Sequence, residues 1–301
     1  MRLTLVFAIL LFGYSTLSYA QAPRVVVTLK PLHSLVAGLM MGVATPQLLL
    51  PDGASPHTYQ LKPSTLKQLQ QADLIIWVGP ALELFMVKAL HSVQPRLGLI
   101  TVLDIPHLQT YPQRHGRQWH DHAGHDHGTV DPHVWLSTDN AQIFVNTLSA
   151  YLTKADPLHA KQYAENAKKL TKEIAALKTQ LQTLLAPVHK QPFLVYHDGY
   201  QYFEKEFDLH PVGTMMVNPH LPLSANGLNV IKTLIKDHHV HCVFRETEFN
   251  DNMTQQLGSL SVKIAELDPL GTRFPPGPEN YAKTLVQMGT TLRECLERKS
   301  N

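Results

Sequence analysis

Short apolar runs alternate with amphipathic segments along this chain. Arg24 to Leu29 is short and rich in β-branched residues, and Lys30-Pro31 leads from it into an apolar run that extends to Met41. That reads as a strand followed by a helix. Gln47 to Leu50 is a second short strand, ending in the loop Pro51-Asp52-Gly53-Ala54-Ser55-Pro56-His57. Pro63 to Gln71 is predicted as a helix, because proline suits a first helical position and Leu66 and Leu69 share a face. Asp73 to Val78 is a buried strand by composition, closed by Gly79-Pro80. The second half repeats the pattern: strands over Phe193–Tyr196, Val240–Phe244 and Val262–Leu267, with helices over Leu228–Lys236, Met253–Leu260 and about Asn280 to Glu297. Strands alternating with helices argue for parallel sheets covered on both faces.

Between the halves lies the strongest periodic signal. Tyr163, Ala167, Leu170, Ile174, Leu177, Leu181 and Leu184 follow a 4-3-4-3-4-3 spacing, bracketed by Pro157 and Pro187. At 1.5 Å per residue a helix from Pro157 to Ala186 is about 45 Å long, more than one domain is wide. Ala and Tyr on the seam are poor for a coiled coil, so a rigid connector fits better. The expected fold class is therefore α/β, with two α/β lobes built on parallel sheets and joined by one long rigid helix. The lobes are assigned to 21–154 and 188–301, and the linker helix to 155–187.

Two stretches depart from this plan. Residues 1–20 carry Arg2, an apolar core over Leu3 to Phe12, and Ser18-Tyr19-Ala20 before Gln21. Such a segment reads as a secretory signal peptide cleaved after Ala20, its apolar core being about half of what a bilayer span needs. From Gln109 to Gly128 the periodicity stops, and a His-rich loop is expected over 113–128.

Composition adds one anomaly. The net charge of +2 leaves no basic footprint for nucleic acid, and the 18 histidines far outnumber the two cysteines. In an exported chain two cysteines read as one disulfide, Cys242 with Cys295, rather than a thiolate metal site. Histidine excess then points to a metal held by imidazole and carboxylate.

Four candidate ligands fall where a strand or loop gives way to a helix. His57 ends the loop after the second strand, His133 lies in Asp-Pro-His-Val-Trp, and His197 and Asp268 each follow a strand directly. Open α/β sheets bind ligands outside the carboxyl ends of their strands. Three imidazoles and one carboxylate suit tetrahedral Zn²⁺. Each has a plain alternative, since a lone histidine is usually a surface or hydrogen-bonded group and Asp268-Pro269 is a common turn. The long gaps between the four form no compact metal signature. The run His238, His239, His241 also looks ligand-like, but reads as structural. His33, at a helix start, is taken as packing or supporting.

Several segments decide the matter. Lys-Pro-Leu-His-Ser-Leu-Val-Ala at 30–37, Leu-Pro-Asp-Gly-Ala-Ser-Pro-His at 50–57 and Asp-Pro-His-Val-Trp-Leu-Ser at 131–137 resemble the zinc-uptake branch of the metal solute-binding proteins of ABC transporters. So do Tyr-His-Asp-Gly-Tyr-Gln-Tyr-Phe at 196–203, Cys-Val-Phe-Arg-Glu at 242–246 and Leu-Asp-Pro-Leu-Gly at 267–271. The resemblance implies a periplasmic, monomeric protein that captures Zn²⁺ and hands it to a membrane permease. It implies ligation by His57, His133, His197 and Asp268 in the cleft between lobes. In the related manganese proteins a carboxylate stands at the position of His197, so the imidazole favours zinc. One departure is Pro56, where some zinc members have an acidic residue before the first ligand; Asp268 or water is then the fourth ligand.

The loop histidines His115, His120, His122, His125 and His127, with His220, form a possible secondary metal site of lower affinity, because a disordered loop must be ordered to bind. A zinc hydrolase is the main rival. No histidine is followed by glutamate, which excludes the H-E-x-x-H arrangement, and Gly124 breaks the nearest run of the H-x-H-x-D-H kind. A manganese-binding transporter subunit or adhesin is the other alternative.

Overall fold

The computed structural model describes residues 22–114, 116–118, 130–216, 224–246 and 262–297. The signal peptide, the six histidines assigned to a secondary site and the helix predicted over Met253–Leu260 lie outside the described residues.

Two four-stranded parallel sheets form the frame. The first contains β1 (Val25–Val27), β2 (Gln47–Leu48), β3 (Leu74–Trp77) and β4 (Leu99–Thr101) in the order β2-β1-β3-β4. The second contains β5 (Pro192–Val195), β6 (His210–Thr214), β7 (Cys242–Glu246) and β8 (Lys263–Leu267) in the order β6-β5-β7-β8. The orders match, so each sheet has its switch point between its two central strands, where side chains at the carboxyl ends face a crevice. All three residues of β1 and all four of β3 are buried, as parallel strands covered on both faces require.

Helices α1 (Lys30–Leu39), α2 (Pro63–Gln71) and α3 (Leu84–Leu90) flank the first sheet. In the second half, α6 (Gln201–Glu206), α7 (Ala225–Asp237) and the C-terminal α8 (Asn280–Leu296) play that part. Between them α4 (Thr138–Ala155) runs back along α5 (Ala160–Leu185). The periodic face of α5 is buried at Tyr163, Ala167, Leu170, Ile174, Leu177 and Leu181, as the spacing predicted, and at its end Leu184 is half-buried against the same core beside the fully buried Leu185. Its start also differs from the expected Pro157. A single 3-10 turn over Pro157–His159 comes first, fastened by the Asp156 carboxylate, which accepts from Tyr163 (2.9 Å) and pairs with His159 Nδ1 (2.7 Å).

Helix α5 packs against α1, α4 and α8, and one apolar core runs from Val25 in the first sheet through this helix to Phe244 and Leu296 in the second half. A shared hydrophobic interface of this kind opposes free rotation of one lobe on the other. The pairing of Cys242 on β7 with Cys295 on α8 is present, with Cα atoms 5.9 Å apart. Among the described residues no helix is long and apolar enough to cross a membrane.

The histidines of the run at 238–241 are exposed at the turn from α7 into β7. His238 caps α7, His239 has a left-handed backbone (φ 51°), and the strand begins only at Cys242, two residues after the expected Val240. His33 is buried in α1 with Nε2 on the Pro46 carbonyl (3.0 Å), a packing role.

Candidate metal centre

Each of the three histidines is placed by a loop at the carboxyl end of a sheet. After β2 the chain stays paired for two residues, Leu49 and Leu50 donating to the carbonyls of Val27 and Thr28 (2.8 and 3.1 Å). It then turns at Pro51-Asp52-Gly53, where Gly53 has φ 77°. The Ser55 carbonyl accepts from Thr58 and Tyr59 (3.3 and 3.0 Å), and the resulting turn presents His57. His133 is set by its neighbour: Asp131 Oδ1 accepts from the His133 backbone amide at 3.0 Å and pairs with Nδ1 at 2.7 Å. A 3-10 turn over Val134–Leu136 follows, and Ser137 caps α4 through Asn140 N (3.2 Å). His197 stands two residues past the end of β5, and its Nδ1 pairs with Glu246 Oε1, at the end of the adjoining strand β7, at 2.6 Å.

These loops converge. One ligand atom from each of His57, His133 and His197 lies within 4.8 Å of the others, with ring centroids 5.2–5.7 Å apart. His133 Nε2 and His197 Nε2 are 3.4 Å apart. When Nδ1 carries the proton, the Asp131 and Glu246 carboxylates accept from it, and Nε2 is the nitrogen that can ligate a metal. Zinc–nitrogen bonds of about 2.0–2.1 Å in a tetrahedron put nitrogens about 3.3–3.4 Å apart, so the spacing fits that ion. Gly199 closes one side: a Cβ there would meet His197 Nε2 at 2.5 Å and His133 Nε2 at 3.3 Å.

Both supporting carboxylates are 1% exposed. Burial pushes the Asp131 carboxyl up, but the neighbouring His133 imidazole and hydrogen bonds from His133 and Gln201 outweigh it and hold the group below the usual carboxylate range. Gln201, on α6 in the second lobe, donates to Asp131 Oδ2 at 3.1 Å, and Tyr202 donates to the Asp131 carbonyl at 2.7 Å. So the second lobe helps to orient a ligand of the first.

Asp268 is not a member of the three-histidine cluster. It is buried at the end of β8, and its Oδ2 accepts from Thr272 Oγ1 and Arg273 N, each at 3.0 Å. Its Oδ1 is buried without a hydrogen-bond partner, a costly state for a carboxylate oxygen. The adjoining Pro269 carbonyl accepts from Trp135 Nε1 (3.0 Å), two residues beyond His133. The roles of Asp131 and Glu246 were missed from the sequence. Asp131 was legible as the acidic residue two before a ligand, whereas Glu246 meets His197 only through the pairing of β5 with β7.

A family model described as "Zinc-uptake complex component A periplasmic" matches residues 25–295. The high-affinity zinc uptake system protein ZnuA of Brucella suis is 31% identical, the match covering 91% of this chain and 92% of that protein. Its namesake from Paracoccus denitrificans is 33% identical, with 92% and 93% covered. Among solved structures, a ZnuA crystal structure superposes with a TM-score of 0.78 at 22% identity, covering 92% of this chain and 100% of that one. FpvC of Pseudomonas aeruginosa, in complex with Mn²⁺, gives 0.78 at 22%, covering 91% and 98%. At those identities the likeness concerns the fold.

Proposed function

Since the chain belongs to the family of periplasmic A components of zinc-uptake complexes, we propose that it captures Zn²⁺ in the periplasm and delivers it to the membrane permease of an ABC transporter. The reading rests above all on the paired imidazoles, with two Nε2 atoms 3.4 Å apart and each Nδ1 held by a buried carboxylate. His57, His133 and His197 supply three nitrogen ligands, and the buried Asp268 Oδ1 without a hydrogen-bond partner supports Asp268 as the fourth. His57 and His133 come from the lobe over 21–154, His197 and Asp268 from the lobe over 188–301, and the helix over 155–187 holds the two in register. A monomer suffices, because one chain supplies every ligand. Export follows from the signal segment 1–20.

A carrier needs no general base, and this family is a transporter component rather than an enzyme family. Among the described residues, Asp131 and Glu246 each meet a ligand Nδ1 through one carboxylate oxygen, the arrangement of groups that orient metal ligands. Imidazole at 197 favours zinc over manganese. The test is metal analysis of chain purified without added zinc, followed by chelation and competition titration. One tightly held zinc per chain is expected; a chain that holds none, or prefers manganese, overturns the reading.

A further inference from the structure

Lys30 opens α1, yet its side chain is only 5% exposed. An ammonium has three N–H donors, and three acceptors surround this one. The Asp52 carboxylate forms an ion pair with it, the Phe274 carbonyl accepts at 3.1 Å and the Thr272 carbonyl lies at 3.5 Å. Asp52 sits in the turn that leads to His57, five residues on. Thr272 and Phe274 flank the segment whose Thr272 Oγ1 and Arg273 N fix Asp268 Oδ2 and leave Oδ1 unpartnered. One buried cation therefore joins the turn that presents His57 to the turn that orients Asp268, across the two lobes.

We propose that Lys30 is a positioning residue that clasps the Asp268 loop against the His57 loop and so sets how long the captured ion stays bound. The inference rests on Asp268 being the fourth ligand. Two of the three acceptors are neutral carbonyls of the second lobe, so the ammonium is satisfied away from water only while that loop is docked. A buried charge that lost them would be uncompensated and would draw in water. Docking is thus close to all-or-none, and the position of Asp268 follows it. Lysine suits the place because its compact head offers three donors in separate directions, which the planar fork of arginine does not.

Release of zinc into excess chelator, followed by stopped flow, tests this on the full chain with Lys30→Met, Asp268→Asn and the double variant. Lys30→Met should release zinc about tenfold faster or more, the scale of a lost supporting contact, with the capture rate little changed. If Lys30 acts through Asp268, the double variant releases no faster than Asp268→Asn alone. Unchanged release in Lys30→Met, or effects that multiply in the double variant, overturns the inference. Should Lys30→Met fail to fold by circular dichroism, Asp52→Asn decides, since it removes only the exposed partner: faster release supports the clasp and unchanged release refutes it. Failure of the site itself looks different, because Asp268→Asn, or His133→Ala, would then leave zinc binding as it was.

Discussion

Replacing Glu246 by glutamine isolates the part that a buried carboxylate plays in metal capture. Glu246 ends β7, its Oε1 lies 2.6 Å from His197 Nδ1, and β7 is paired in register with the strand that leads to His197. Glutamine keeps the shape and an acceptor oxygen but loses the charge. A hydrogen bond to a charged group contributes about 1.5–3 kcal/mol and a neutral one about 0.5–1.5, so roughly 1–1.5 kcal/mol of ligand alignment and basicity is lost. That corresponds to about a tenfold weaker affinity. Turned the other way, the amide donates to Nδ1, drives the imidazole proton to Nε2 and removes the ligand lone pair. Losses of about 10–100-fold are the range seen for such outer partners, and Glu246→Gln is expected within it. Competition with a chromogenic chelator at neutral pH measures the change, and thermal unfolding of the metal-free variant checks that the fold survives. Unchanged affinity in a folded Glu246→Gln would refute the reasoning.

Other outcomes follow from the same geometry. His197→Glu should narrow the gap between zinc and manganese by supplying a hard oxygen ligand, and equal affinities in the unmodified chain would contradict the reading. Deleting residues 119–128 should leave the tight zinc step intact in calorimetry and remove only a weak component, one that fades as pH falls through about 6.5. Arg114 must be kept in that deletion, because it pairs with Glu204 and with Asp198 beside His197; loss of the tight step would place a primary ligand in the loop. Burial raises the Glu83 carboxyl to about 7 against the opposing hydrogen bonds that Oε2 accepts from Gly79 N and Val78 N. A raised folded-state pKa favours the protonated form, so its contribution to stability is full below the ordinary carboxylate range and is lost as pH rises through about 7. Denaturant melts across that window should show a decline that Glu83→Gln reduces, and equal slopes would sink the assignment.

Much of the frame was legible in the sequence. The apolar runs around Val25, Ile75, Leu194 and Val243 became the central strands of the two sheets, and the seven-residue spacing located α5 to within a turn. Strand β6 escaped notice because His210-Pro211-Val212-Gly213-Thr214 carries a proline and a glycine, which an edge strand tolerates and a composition rule rejects. Strand β4 is three residues long, too short for a period to register. At the site, the three histidines were readable because each ends a strand or loop. Their mutual distances were not, since gaps of 64 to 76 residues close only through the pairing of the lobes. Glu246 illustrates the limit: its partner lies 49 positions away, just past the end of a neighbouring strand whose register no local pattern records.

The central claim is that His57, His133 and His197 bind one zinc ion together. X-ray absorption of the chain loaded with one equivalent of zinc tests this most directly. Three imidazole nitrogens at about 2.0–2.1 Å and one oxygen are expected, and His133→Ala should lose one imidazole from that shell. A spectrum with sulfur in the shell, or with fewer than three imidazoles in the unmodified protein, would contradict the account.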